Sequence, residues 1–269
     1  MSKEILRIRI DGYDLSKAKQ KIGEFLNSAK QFKVFTPNPE MLVKAQKDDY
    51  FKKVLNMGDM NICDGFGLWL IFRLSSRAKV RDATAEMAIE RITGVDFMLD
   101  ICKIAEENDK SIFLLGSGKS EVVEKTAEVL KKKFPNLKIV GTNKGSTIRE
   151  GVQKSTIDNK LIIDDLQNYN TIAEINGAEP DILFVAFGMG KQEKWIYENL
   201  QKMPSVKIAM GVGGAFDYIS GTVKRAPCWM CKIGLEWTYR LLNQPKRFIR
   251  IVNATAVFIL LTIFDKNSR

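Results

Sequence analysis

The chain has no histidine among its 269 residues. That removes any Ser-His-Asp or Cys-His nucleophile system and any His-ligated zinc. If the protein works by general base catalysis, a carboxylate is the group left to serve. Cysteine is scarce too. Cys63 and Cys102 stand alone in apolar stretches and read as core residues, whereas Cys228 and Cys231 form one C-x-x-C. One such pair cannot complete a four-cysteine zinc site unless distant partners converge, and we read it as ordinary helix residues rather than a redox couple. No G-x-x-x-x-G-K-[ST] loop is present, which argues against a P-loop ATPase. The turn Gly116-Ser-Gly118 is followed by a strand pattern ending at Val140-Gly141-Thr142 with no acid, which argues against NAD. The longest apolar run, 251–264, has 14 residues and is interrupted by Asn253, Thr255 and Thr262. Crossing a bilayer takes roughly 18 to 20. The opening MSKEILRIRIDGYD lacks the apolar core of a signal peptide, so a cytoplasmic protein is expected.

Positive charge is plentiful, with a net +10 concentrated near the C-terminus. Residues 224–250 hold seven Lys/Arg against one acid, Glu236, and run straight into the apolar stretch 251–264. A cationic patch beside an oily segment suits an anionic headgroup with a greasy tail, or the surface of an anionic membrane. A buried helix closing the domain is the competing reading of the apolar run. The adjoining cations favour peripheral attachment to the cytoplasmic face of the membrane. Nucleic acid would also be drawn to such a patch, but no zinc-finger spacing or RRM-type aromatic motif accompanies it.

Short apolar runs alternate with helical patterns. Strands are expected at 5–10, 33–35, 60–63, 111–115, 138–140, 181–187 and 207–210, and helices at 16–28, 40–47, 67–75, 96–108, 120–134 and 191–202. Such alternation reads as an α/β, Rossmann-like fold, a mostly parallel sheet with helices on both faces. Residues 75–90 and 144–176 are polar and poorly periodic and read as insertions or loops, with a short element possible at 160–166. Composition turns basic and aromatic after Gly221, so the expected division is a catalytic core, 1–221, and a membrane-associated appendage, 222–269.

Five motifs could carry chemistry, and four of them fall at strand ends, where ligands bind in open α/β sheets. Thr36-Pro37-Asn38-Pro39-Glu40 offers Thr36 and Asn38 as ligand contacts, although Asn38 with Pro39 is also an ordinary N-cap and first helical position. Asp64 in Cys63-Asp64-Gly65 suits a general base or a ligand-binding carboxylate as well as it suits a helix cap. Arg91 precedes Thr93-Gly94-Val95-Asp96, where Thr93 or Asp96 can cap a helix and Arg91 can reach a phosphate. Gly188-Met-Gly190 leads into Gln192, and Gly211-Val-Gly213-Gly214 leads into Asp217, two loops where backbone N–H groups can approach an anion closely.

In this order the motifs resemble the WecG/TagA/CpsF family of bacterial glycosyltransferases. The residues that carry the resemblance are TPNPE at 36–40, CDG at 63–65, RITGVD at 91–96, PDILFVAFGMGKQEKW at 180–195, GVGGAFDYISGTVKRAP at 211–227 and GLEWTYRLLNQPKRFIR at 234–250. The resemblance implies transfer of N-acetylmannosamine, or its uronate, from UDP to the 4-hydroxyl of GlcNAc on undecaprenyl diphosphate. It puts the general base at Asp64, with Thr36, Asn38 and Arg91 in the catalytic pocket. Gln192 falls in the substrate pocket with Gly188, Gly190, Gly211, Gly213, Gly214 and Asp217, and Arg240, Arg247 and Arg250 are the arginines of a C-terminal appendage. Without histidine or a DXD-like acidic pair, arginines and backbone amides are better candidates than a metal to hold the departing diphosphate, and no cofactor is expected. Two other classes stay in view: a non-catalytic nucleotide-sugar-binding membrane protein, and a nucleic-acid binder using the basic tail. The sequence leaves the sugar and the oligomeric state open, a homo-oligomer included.

Overall fold

The computed structural model describes residues 2–77, 90–145, 149–150, 161–162, 164–227, 230, 238–239 and 252–264. Its centre is a six-stranded sheet built from β3 (Phe32–Phe35), β4 (Met60–Asn61), β5 (Ser111–Gly116), β6 (Lys138–Asn143), β9 (Ile182–Ala186) and β10 (Ile208–Gly211), in the order β4-β3-β10-β9-β5-β6. Every pairing in it is parallel. The central strands β5, β9 and β10 are buried at every position, as expected of strands covered on both faces. Alternate residues feed two separate cores. Phe35, Phe113, Leu183, Val185 and Ala209 face one, and Val34, Ile112, Leu114, Phe184 and Met210 face the other.

Helices close both faces. The first core is covered by α2 (Pro39–Ala45), α3 (Asp49–Asn56), α4 (Phe66–Arg77) and α8 (Lys191–Asn199), and the second by α1 (Leu15–Leu26), α5 (Gly94–Glu107), α6 (Ser120–Lys133) and α9 (Ala215–Ile219). The caps are local and chemical. Asp14, Asn38, Asp48 and Thr93 each accept a hydrogen bond from the backbone N–H three residues on. The α/β, Rossmann-like layering expected from the sequence is thus what the chain adopts.

Three local expectations are corrected. Residues 5–10 are not one strand but a hairpin, β1 (Ser2–Ile5) and β2 (Ile8–Asp11), turning at Leu6 and Arg7 with φ of 51° and 62°. No Gly or Asn marks that turn. Asn56 of α3 holds it from outside, donating to the Arg7 carbonyl at 2.9 Å and accepting from the Arg9 N–H at 2.9 Å. The stretch 144–176 is not all loop. It contains most of α7 (Asp165–Ala178) and a two-residue pairing of β7 (Arg149–Glu150) with β8 (Leu161–Ile162). Only Thr171 and Ile175 of α7 are buried, so its periodicity is faint. Polar bonds hold it instead: Asn168 accepts from the Trp195 indole at 2.8 Å, and Asn176 donates to the Lys202 carbonyl at 3.0 Å. Helices α3 and α9 were not expected at all.

The end of the chain returns to the core. Asn253–Val257 forms a π-helical turn and Phe258–Phe264 forms α10. Phe258 is fully buried in the first core, with Val257 and Leu261 packed beside it. Ile259, Leu260, Ile263 and Phe264 point outward, Phe264 being 76% exposed. One side of the segment is therefore seated in the core, as the buried-helix reading expects, and the other side is exposed. No described helix is long and apolar enough to cross a membrane.

Candidate active site

Because the sheet is parallel, the carboxyl ends of β4, β3, β10 and β9 lie side by side on one edge. The loops beyond β3 and β4 are stitched together there. The Ile62 N–H donates to the Phe35 carbonyl at 2.9 Å, and the Asp64 N–H donates to the Pro37 carbonyl at 3.0 Å. Thr36 is 9% exposed, and Asn38 spends its Oδ1 on the Met41 N–H at 3.0 Å, capping α2. The N-terminus of α5 presses onto this pair of loops. A Cβ placed on Gly94 would stand 3.3 Å from Thr36 Oγ1 and 3.8 Å from Asp64 Oδ2. Thr36, Asp64 and the start of α5 thus meet at one point, and Gly94 is a member of the cluster that the sequence reading passed over.

Electrostatics agree with that placement. Burial, and secondly the charge of Asp64, push the Cys63 thiol up, while the Arg91 guanidinium opposes them. Arg91 also helps lower the Asp96 carboxyl, after the larger effect of Arg225. The Arg91 charge is therefore felt at both the end of β4 and the start of α5. Arg225 itself was read only as part of a cationic patch. It grips Asp96 with two bonds, Nη1 to Oδ1 at 2.6 Å and Nη2 to Oδ2 at 2.7 Å, and donates to Thr93 Oγ1 at 3.3 Å. The planar fork of arginine is what makes this two-point contact. It ties the chain leaving the core to the helix that carries Gly94.

The glycine loops form the neighbouring part of the edge. Glu193 accepts from the Gly190 N–H at 2.7 Å, closing the first turn of α8. Gln192 is 4% exposed and reaches across to the next loop. Its Oε1 accepts from the Gly213 N–H at 2.9 Å, and its Nε2 donates to Glu193 at 2.8 Å. The Gln192 side chain lies flat on Gly211, where a Cβ would come within 2.8 Å of Nε2. The Asp217 carboxylate sits above Gly214, 3.7 Å from the place a Cβ would take. The loop Gly116-Ser-Gly118 is tied to its neighbours, with the Ser117 N–H donating to Ala186 at 2.9 Å and the Gly118 N–H to Lys144 at 3.0 Å. Beside it opens a cavity of about 330 Å³ lined by Asn143, Lys144, Gly145, Gln167, Asn170, Thr171 and Glu174.

A profile of the "Glycosyl transferase WecG/TagA/CpsF family" matches residues 3–269. The chain belongs to this family. As a WecG/TagA/CpsF glycosyltransferase it resembles proteins named N-acetylglucosaminyldiphosphoundecaprenol N-acetyl-beta-D-mannosaminyltransferase. One, from Bacillus subtilis (strain 168), is 33% identical over 251 residues, covering 93% of this chain and 83% of that protein. Another, from Staphylococcus aureus (strain MW2), is 29% identical over 250 residues, covering 92% and 87%. A third, from Bacillus spizizenii, is 30% identical over 229 residues, covering 85% and 78%.

In this WecG/TagA/CpsF member the expected site residues fall into two adjoining groups. Thr36, Asn38 and Asp64 follow β3 and β4, with Arg91 just ahead of α5, and Gly188, Gly190, Gln192, Gly211, Gly213, Gly214 and Asp217 gather after β9 and β10. Arg240, Arg247 and Arg250 lie outside the described residues, as do Cys228 and Cys231. Among the described residues no group of three or more Cys, Asp or Glu is placed to hold a metal ion.

Proposed function

We propose that this glycosyltransferase moves N-acetylmannosamine from UDP to the 4-hydroxyl of GlcNAc carried on undecaprenyl diphosphate, with inversion at the transferred carbon. The observation that carries the proposal is the meeting of Asp64, Thr36 and the α5 N-terminus on the carboxyl edge of the sheet, one strand from the glycine loops of β9 and β10. Asp64 accepts the proton of the acceptor hydroxyl as that oxygen bonds to the sugar's anomeric carbon. The bond from that carbon to the diphosphate breaks at the same time, and UDP departs with the electron pair. Thr36 and Asn38 position the sugars. Backbone N–H groups at Gly188–Gly190 and Gly211–Gly214, with Arg91, stabilise the charge that develops on the leaving diphosphate.

The acceptor's lipid sets the location. Residues 222–269 act as an appendage to a core of 1–221 and hold the enzyme on the cytoplasmic face of the membrane. In support, Ile259, Leu260, Ile263 and Phe264 form an outward apolar face on α10, while Phe258 anchors the same helix to the core. Arg240, Arg247 and Arg250 supply cations for the acceptor's diphosphate. The product is an intermediate of wall teichoic acid or a related surface polymer.

The test is UDP release from UDP-N-acetylmannosamine with a lipid-diphosphate-GlcNAc acceptor. Wild type should release UDP only when acceptor is present, and Asp64→Asn should fold normally with turnover reduced about 100-fold or more. Turnover retained by Asp64→Asn removes Asp64 as the base. Acceptor-dependent release from another UDP-sugar alone, such as the mannosamine uronate, replaces the donor but keeps the reaction class.

A further inference from the structure

We infer that Glu193 is a positioning residue, holding the Gly211–Gly214 loop against the Gly188–Gly190 loop through the side-chain amide of Gln192. Three bonds make one chain. The Gly190 N–H donates to Glu193 Oε2 at 2.7 Å, Gln192 Nε2 donates to Glu193 Oε1 at 2.8 Å, and the Gly213 N–H donates to Gln192 Oε1 at 2.9 Å. Both loops are the ones assigned above to the donor diphosphate, so the role in catalysis rests on that reading. The latch itself does not.

The direction of every bond follows from the two backbone donors. The Gly190 and Gly213 N–H groups can only donate, so Glu193 Oε2 and Gln192 Oε1 accept, and the Gln192 amide nitrogen is left to donate to Glu193 Oε1. The Gln192 amide is thereby oriented, nitrogen towards Glu193 and oxygen towards Gly213. Reversed, it would set Nε2 against the Gly213 N–H, donor against donor. Gly211 leaves room for this flat amide, since a Cβ there would come within 2.8 Å of it.

Capping alone does not explain a glutamate at this position. A glutamine at the third helical position closes the first turn as well as a glutamate does. Glu193 is 1% exposed, and burial pushes its carboxyl up to about 7, against the pull of Gln192, the Gly190 N–H and the Lys44 ammonium on α2. A neutral residue would avoid that cost of burying a charge. What the neutral residue cannot do is accept from two donors on two separate oxygens.

Two variants test this. In Glu193→Gln, any arrangement of the two amides sets two donors face to face at Gly190, between the side chains, or at Gly213. The double variant Gln192→Glu/Glu193→Gln restores complementarity at all three contacts, because the new carboxylate at 192 accepts from Gly213 and from the new amide at 193, whose oxygen accepts from Gly190. The readouts are amide hydrogen exchange at Gly213 without ligand, and UDP affinity by calorimetry. Glu193→Gln should lose most of the Gly213 protection and bind UDP about tenfold more weakly, the scale of one lost bond to a buried polar group. The double variant should regain the protection and most of the affinity. Wild-type protection in Glu193→Gln would reduce Glu193 to a helix cap and overturn the inference. So would a double variant that folds and exchanges as fast as the single one. If Glu193→Gln fails to fold, the double variant decides alone. If wild type does not bind UDP, the donor assignment fails while the exchange data still decide the latch.

Discussion

Two glycines in one turn provide a matched test of how β5 and β9 are held together at the carboxyl edge. Gly116 has φ of 121° and Gly118 has φ of 70°, so an alanine at either is strained by its backbone alone, by about 1 to 2 kcal/mol. Their surroundings differ. A Cβ on Gly118 would meet nothing within 4 Å, whereas one on Gly116 would stand 2.7 Å from both the carbonyl carbon and the oxygen of Ala186. No side chain can rotate away, because the obstacle is the backbone of β9. Relief requires the two strands to part, which weakens the Ser117 N–H bond to the Ala186 oxygen, now 2.9 Å. Overpacking of this kind adds about 1 to 3 kcal/mol to the strain. Gly118→Ala should therefore cost about 1 to 2 kcal/mol and Gly116→Ala about 2 to 5. At roughly 2 to 4 °C per kcal/mol for a chain of this size, the two melting temperatures should differ by about 2 to 12 °C. Thermal unfolding followed by circular dichroism measures this directly. Equal melting temperatures for the two variants would refute the claim that close approach of β5 to β9, rather than backbone conformation alone, demands glycine at 116.

Two further outcomes are expected. Glu193 ionises near 7 in the folded chain against an ordinary 4.5, so the folded state holds this proton more tightly than the unfolded one. Stability from this group is complete below about pH 4.5 and is lost as pH rises towards 7, by about 3 kcal/mol in all. Urea unfolding of wild type and Glu193→Gln across pH 5 to 8 should show this loss in wild type only; parallel profiles would contradict it. On α10, replacing Ile263 and Phe264 by serine removes two exposed apolar side chains. Binding to vesicles containing anionic lipid should fall about tenfold or more while the melting temperature stays put. Unchanged vesicle binding would remove α10 from the membrane contact.

Much of the candidate site was legible because its residues sit where strands end, and strand ends announce themselves by a change of pattern. Thr36, Asn38, Asp64, Gln192 and the glycines of β9 and β10 all follow apolar runs. What stayed hidden has a common cause. Arg225 looks like one more cation of a basic tail, and only the fold brings it to Asp96, 129 positions away. Gly94 looks like a residue between two helix caps, and only packing brings it onto Thr36 and Asp64. Helix α7 buries too little apolar surface to show a period, and the turn at Leu6–Arg7 is held by Asn56 rather than by turn residues of its own.

The sequence by itself determined the alternation of strands and helices, the two-sided burial of β5, β9 and β10, the caps of α2 and α5, and the absence of any imidazole chemistry. These depend on neighbours within a few positions, or on composition alone. Tertiary structure decided the rest: the strand order β4-β3-β10-β9-β5-β6, the meeting of Asp64 with Thr36 and α5, the Glu193–Gln192–Gly213 chain, and the seating of Phe258 in the core beneath an outward apolar face. Each of these joins segments far apart in the chain through close contact, and a local pattern of residues carries no record of which distant surface it will meet.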